Sequence, residues 1–210
     1  MSLDQRREQE KQDRRDSILD AAEQVFFAKG FEKSSMDEIA RTAQLSRALL
    51  YVYFKDKAAI MRGLMLRAAQ AIRNRFAAAI EQIDLGVEQI DRIGRAYYRF
   101  SLEEPDYFDV LTQASTFEHL ADEDEQSAEL RNCSAEAMYM MVEALRKGVS
   151  DGSLSSDRVA DPVMTAFYLR GALHGVIMQC GKGTEMEPGH PDPEALVTYT
   201  LKMLTQSMRP

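Results

Sequence analysis

A chain of 210 residues, 45% apolar and 29% charged, is long enough for one large or two small domains with a sizeable core. No run of about 18 apolar residues occurs, which excludes a membrane-spanning helix, and the opening MSLDQRREQEKQDRRDS lacks the apolar stretch of a secretory signal. The net charge of −8 lies after residue 57: residues 1–57 hold 11 basic and 11 acidic side chains, whereas residues 58–210 hold 15 and 23.

The pattern along the chain is helical throughout. Ala, Leu, Met, Glu, Arg and Gln dominate, and no alternating strand pattern is visible. The first helix is expected from about Arg14 to Lys29, with Ile18, Ala22, Val25 and Phe26 on one face and Gly30 as its stop. The polar extension 4–13 is read as either a continuation of this helix or a frayed end, and the arm before Arg14, with Arg6, Arg7 and Lys11, as either entering a minor groove or disordered, with disorder or a frayed helix favoured.

Ser35 and Glu38 have the spacing of a capping box, which opens a second helix with Ile39, Ala40 and Ala43 inside. The turn is AQLS. Ser46 then caps a short third helix, Arg47 to about Tyr53, and Asp56 caps a fourth, Lys57 to about Ile83. Later helices are expected at 87–103, 105–119, 124–148, 161–181 and 191–208, separated by loops at 148–162 and 180–193. The fold class is therefore all-α. The expected domains are 1–57, ordered from about residue 14, and 58–210.

The second and third helices with their short turn have the form of a helix-turn-helix, whose second helix enters the DNA major groove by its early residues. Arg47 can fork onto guanine O6 and N7, Ala48 permits close approach, and Leu49 can meet a thymine methyl. Tyr51 and Tyr53 can offer hydroxyls to phosphate. Lys57 stands in the first turn of a helix, a poor place for a cation unless an anion such as phosphate lies there. Between residues 41 and 57, Arg41, Arg47, Lys55 and Lys57 face only Asp56, so the acidic chain has a local basic tip. Leu45, Leu50 and Phe54 form the inward set. Periodicity alone leaves a second reading open, because any short amphipathic helix pair shows this pattern.

The stretch ILDAAEQVFFAKGFEKSSMDEIARTAQLSRALLYVYFKDKAAI, Ile18 to Ile60, closely resembles the N-terminal domain of TetR-family transcriptional regulators. YYRFSLEEPDYF (Tyr97–Phe108) and LRKGVSDGSLSSDRVADPVMTAFYLRGALHGV (Leu145–Val176) are similar to elements of that family's C-terminal, ligand-responsive domain. The resemblance implies a helix-turn-helix DNA-binding domain joined by a long helix to a helical ligand-binding and dimerisation domain. It implies a homodimeric, cytoplasmic repressor released from a palindromic operator in double-stranded DNA by an unknown small-molecule effector. The residues it places against DNA are Ser35, Ser46, Arg47, Ala48, Leu49, Tyr51, Tyr53 and Lys57. Gln44 stands where the family usually has a turn glycine, which raises the question of strain in the turn. Ala48 and Leu49 replace a frequent Gly-Thr pair, which suggests more apolar base reading.

In the body, Tyr97, Phe100, Phe108, Leu111, Phe117, Met138, Met141 and Phe167 are the candidates for a ligand cavity, with ordinary core as the plainer reading. Gly171, Ala172 and Gly175, followed by Leu196, Tyr199 and Met203, are the candidates for a dimer interface on the last two helices. His119 and His174 are read as single histidines without partners, His174 being packed at the interface. Cys133 and Cys180 fit no metal spacing and read as reduced thiols of a cytoplasmic protein. No phosphate loop, nucleophile elbow or metal-binding helix motif occurs. Glu187 and His190 have a metal-site spacing, but Pro188 and Gly189 interrupt the helix it needs. The expectation is of no enzyme, no cofactor and no metal. The rival function is a helical dimeric interaction or small-molecule-binding protein without DNA binding.

Overall fold

The computed structural model describes residues 2–112, 125–180 and 191–210. Among these the chain forms helices α1 (Leu3–Lys29), α2 (Met36–Thr42), α3 (Arg47–Tyr53), α4 (Lys57–Ile80) and α5 (Gly86–Glu103). They continue with α6 (Pro105–Thr112), α7 (Glu125–Ser150), α8 (Pro162–Gln179) and α9 (Pro193–Ser207). No strand occurs among the described residues. The all-helical class is as expected. Phe117, His119 and the Glu187–His190 spacing lie outside the described residues.

The contacts divide the chain into two compact units, Met1–Ala68 with Asp109–Leu130, and Ala69–Phe108 with Arg131–Pro210. In the first unit α2 packs on α1, and α3 on α2. The core is built from Ile18, Ala22 and Phe26 of α1, Ile39 of α2, Leu50 of α3, Phe54, and Ile60 and Leu64 of α4, all of them buried. These are the positions that a 3.6-residue period brings to one face of each helix. Arg67 of α4 ties this core's edge to α1. Its guanidinium donates to the carboxylates of Asp16 at 3.0 Å, Asp20 at 2.7 Å and Glu23 at 2.8 Å. Burial works against the charge of Arg67, but the hydrogen bonds to Glu23, Asp16 and Asp20 outweigh it and raise its pKa.

Helix α1 starts at Leu3, so residues 4–13 continue the helix, one of the two readings of this extension, and the favoured disordered or frayed arm is corrected. Ser2 accepts from the Gln5 amide and Gln5 returns a bond to the Ser2 amide, a complete capping box. Beyond it Arg6–Glu10, Gln9–Asp13 and Gln12–Asp16 bond at i,i+4 spacing, at 3.0, 2.7 and 3.2 Å. The segment is exposed and polar all round, so these local bonds hold it as helix.

In the second unit α5, α8 and α9 pack against one another. Ile93, Phe100, Leu145, Leu154 and Val197 are its fully buried large side chains. The start of α5 meets α7 closely: a Cβ on Gly86 would lie 2.1 Å from the Gly148 amide nitrogen. The free amides of Gly86 and Val87 donate to Asp151 Oδ2 at 2.8 Å and Ser153 Oγ at 3.2 Å. The 148–162 link is therefore well packed, with Leu154 and Val159 buried. Asp161 caps α8 ahead of Pro162, and Asp192 caps α9 ahead of Pro193.

Candidate nucleic-acid interface

The α2–α3 pair is held by its own caps. The Ser35 hydroxyl accepts from the Glu38 amide at 3.3 Å, and the Glu38 carboxylate takes the Ser35 amide at 3.0 Å. Lys29 of α1 also reaches Glu38. Lys29 and then Ser35 hold the Glu38 carboxyl below its usual pKa. Ser46 accepts from the Leu49 amide at 3.2 Å and so starts α3. Between the helices Gln44 sits at φ +56°, the left-handed region that glycine occupies freely. The bend is closed by the Leu45 amide donating to the Ala40 carbonyl at 2.8 Å.

These constraints decide which side of α3 faces out. Leu50 is fully buried and Phe54 nearly so. Arg47, Ala48 and Leu49 are exposed, and Tyr51 is 42% exposed. Val52, which the sequence reading passed over, is 75% exposed on the same helix. Tyr53 is half-buried, and its carbonyl accepts from Arg15 Nη1 at 2.9 Å. The Arg15 guanidinium also stacks 4.4 Å over the Phe54 ring. Arg15 thus ties α1 to the C-terminal end of α3, where a cation complements the helix dipole.

Arg47 has two neighbours. Its Nη1 lies 3.2 Å and 3.3 Å from the two oxygens of Asp37 in α2, and its guanidinium lies 5.6 Å over the Tyr51 ring. The hydrogen bond with Tyr51 and the charge of Asp37 raise its pKa. Asp37 was missed at the sequence level because nothing in local spacing links residues ten apart across a turn.

Lys57 has partners within the chain. Its ammonium donates to the carbonyls of Phe31 at 2.6 Å, Ser34 at 3.0 Å and Glu32 at 3.4 Å, and stands over the Phe31 ring at 4.3 Å. Carbonyl oxygens of the turn before α2 answer the charge that looked out of place at the start of α4.

The body residues divide. Tyr97, Phe100 and Phe108 come together with Phe76: ring centroids are 5.4 Å apart for Tyr97–Phe108 and 6.4 Å for Phe100–Phe108 and Phe76–Tyr97. His174 corrects its expected isolation. Its Nδ1 lies 3.0 Å from the Tyr97 hydroxyl, and its ring packs on Phe108. Burial pushes the Tyr97 phenol up to about 12, and burial, then the charge of Arg170, pulls His174 down. Met141 is buried on α7, Met138 is half-buried there, and Leu111 is half-buried in α6. Phe167 does not join the cluster; it is 50% exposed on α8. It shares an exposed apolar face with Val163, Met164 and Tyr168, within about one helical turn of it, and with Met178, about three turns further along. Gly171 and Gly175 are exposed on that helix and Ala172 is half-buried. On α9 Tyr199 and Met203 are exposed and Leu196 is half-buried, whereas Leu201 is core and packs against Gly94.

Residues 18–64 match the family model described as bacterial regulatory proteins, tetR family, and residues 90–204 match that of the tetracyclin repressor-like C-terminal domain. The chain is 43% identical over 54 residues to the HTH-type transcriptional repressor BepR of Brucella suis, 26% of either chain. It is 34% identical over 84 residues to the HTH-type transcriptional regulator UidR of Escherichia coli, 39% of this chain and 43% of that one. The matches thus span less than half the length of these curated relatives. Among solved structures it is similar in fold to the transcriptional regulator FadR of Bacillus subtilis in complex with stearoyl-CoA. That likeness has a TM-score of 0.66 at 19% identity and covers 92% of this chain and 99% of that one.

Proposed function

The chain belongs to the TetR family of bacterial regulatory proteins, and from that premise we propose that it is a DNA-binding transcriptional repressor that works as a homodimer in the cytoplasm. The observation that carries this reading is the two-sidedness of α3: Leu50 and Phe54 are sealed in the core while Arg47, Leu49 and Tyr51 stand outside. An outward arginine at the start of a capped helix suits a guanine edge in the major groove. Ser35, Ser46, Ala48, Leu49, Tyr51 and Tyr53 are proposed to share the DNA face with Arg47. Lys57 is proposed to act behind that face, by holding the turn before α2.

Two-fold pairing sets two such helices about 34 Å apart on a palindrome, or at a multiple of that spacing. The exposed apolar strip of α8, with Gly171, Ala172 and Gly175, and Leu196, Tyr199 and Met203 of α9, is proposed as the pairing surface. The domain that reads DNA is proposed to be 1–57, and 58–210 the part that pairs and responds. A small molecule is proposed to bind among the aromatic residues around Tyr97 and to favour a body conformation whose reading helices no longer match the groove spacing. The FadR neighbour carries a ligand of that general kind, an acyl thioester. Helix α4, which holds residues of both units, is the proposed lever.

Selection of bound duplexes from a random pool tests the reading. Enrichment of a palindrome supports it. A pool that stays random, under salt low enough to favour phosphate contacts, contradicts it.

A further inference from the structure

The contact between Asp37 and Arg47 joins the two helices of the motif on their exposed side. Both side chains are more than half exposed, so the pair adds little to stability. Its cost for binding is plain. Asp37 places a carboxylate in a stretch whose other exposed charges include Arg41, Arg47 and Lys55, and a carboxylate repels the phosphates that such a face would approach. What it gives in return is geometry. An arginine side chain has many rotamers and a guanidinium that can serve any phosphate. Here Nη1 is taken by Asp37 at 3.2 Å and the plane rests over Tyr51. A base must then be met by the N–H groups that these two contacts leave over.

We propose that Asp37 is a specificity-determining residue that acts through Arg47, fixing which edge of the guanidinium meets the base and opposing its use as a general phosphate anchor. This rests on the DNA-reading function proposed above. Asp37 is a positioning residue in this scheme and need not touch DNA.

The test uses the full-length chain and the duplex enriched from a random pool. Affinities are measured for that duplex, for its single-base-pair variants and for an unrelated duplex, with Asp37→Ala, Arg47→Ala and the double variant. Asp37→Ala is expected to bind the unrelated duplex more tightly than the parent. It is expected to lose on the order of 10-fold in preference at one base position per half-site, the same position that Arg47→Ala relaxes. In the Arg47→Ala background, Asp37→Ala is expected to change preference no further. A merely structural Asp37 lowers affinity for all duplexes in proportion and leaves the preferences intact, and that result overturns the inference. Full preference at every position in Asp37→Ala also overturns it, while leaving DNA reading in place. Failure of the parent chain to enrich any duplex overturns both.

Discussion

The ammonium of Lys57 lies 2.6 Å from the carbonyl oxygen of Phe31 and 4.3 Å from the centroid of the same residue's ring. One side chain at the start of α4 thereby closes the turn that leads into α2. Lys57→Met removes these bonds and leaves the carbonyls to water. It is expected to lower stability by about 1–3 kcal/mol, read as a shift in the urea midpoint. The salt dependence of duplex binding is expected to keep its slope. A slope smaller by about one unit, with the midpoint unchanged, would return Lys57 to phosphate contact.

Gln44 holds a backbone conformation that costs an L-residue about 1–2 kcal/mol. Gln44→Gly relieves that strain but adds freedom to the unfolded chain. The net expectation is a gain of about 0.5–1 kcal/mol. Gln44→Val is expected to lose more than 1 kcal/mol, because β-branched residues fit positive φ badly. Thermal unfolding of the two variants beside the parent checks the sign of each.

Arg67 serves three carboxylates of α1 at once and is only about one-fifth exposed. Arg67→Met removes the guanidinium that the carboxylates of Asp16, Asp20 and Glu23 share. A loss of about 2–3 kcal/mol is expected, less than for a fully buried network because Asp20 is well solvated. The urea midpoints of variant and parent measure it, and an unchanged midpoint would contradict it.

His174 is pulled down by burial and by Arg170. Its folded pKa lies below the unfolded value of about 6.5. Between those values the unfolded chain binds the proton and the folded chain does not, so stability rises with pH. The contribution is complete above about pH 6.5 and falls as pH drops through that value toward the lower folded pKa. Tyr97, raised to about 12, stays a neutral phenol throughout this range. His174→Gln is expected to flatten the dependence, measured as urea midpoints from pH 5 to pH 8. An unchanged dependence would assign it to other groups.

Much of the first unit was legible because its signals are local. The Ser35–Glu38 box and the Ser46 cap involve residues three apart, and Leu50 and Phe54 fall on the inner face by helical period alone. Even the turn residue Gln44 announced its strained backbone through the glycine it replaces. Disorder or fraying was the favoured reading of the arm because residues 4–13 hold no apolar side chain, whereas its helix is sustained by a cap and i,i+4 bonds that hydrophobic period does not register. The contacts of Lys57 and Arg67 reach 23 to 51 residues along the chain. That of Tyr97 with His174 spans 77. Such pairs depend on how helices dock, and no single-sequence pattern encodes them. Phe167 shows the same limit: an aromatic at helical spacing suits a core or an exposed strip equally, and only the packing of α8 chose the strip.

The most direct test of the central claim compares the parent with Arg47→Ala on the selected duplex and on duplexes altered one base pair at a time. The account predicts a loss of about 1–3 kcal/mol on the selected sequence and a preference that disappears at one position in each half-site. Equal weakening on every duplex, or no change at all, would contradict the claim that α3 reads bases through Arg47.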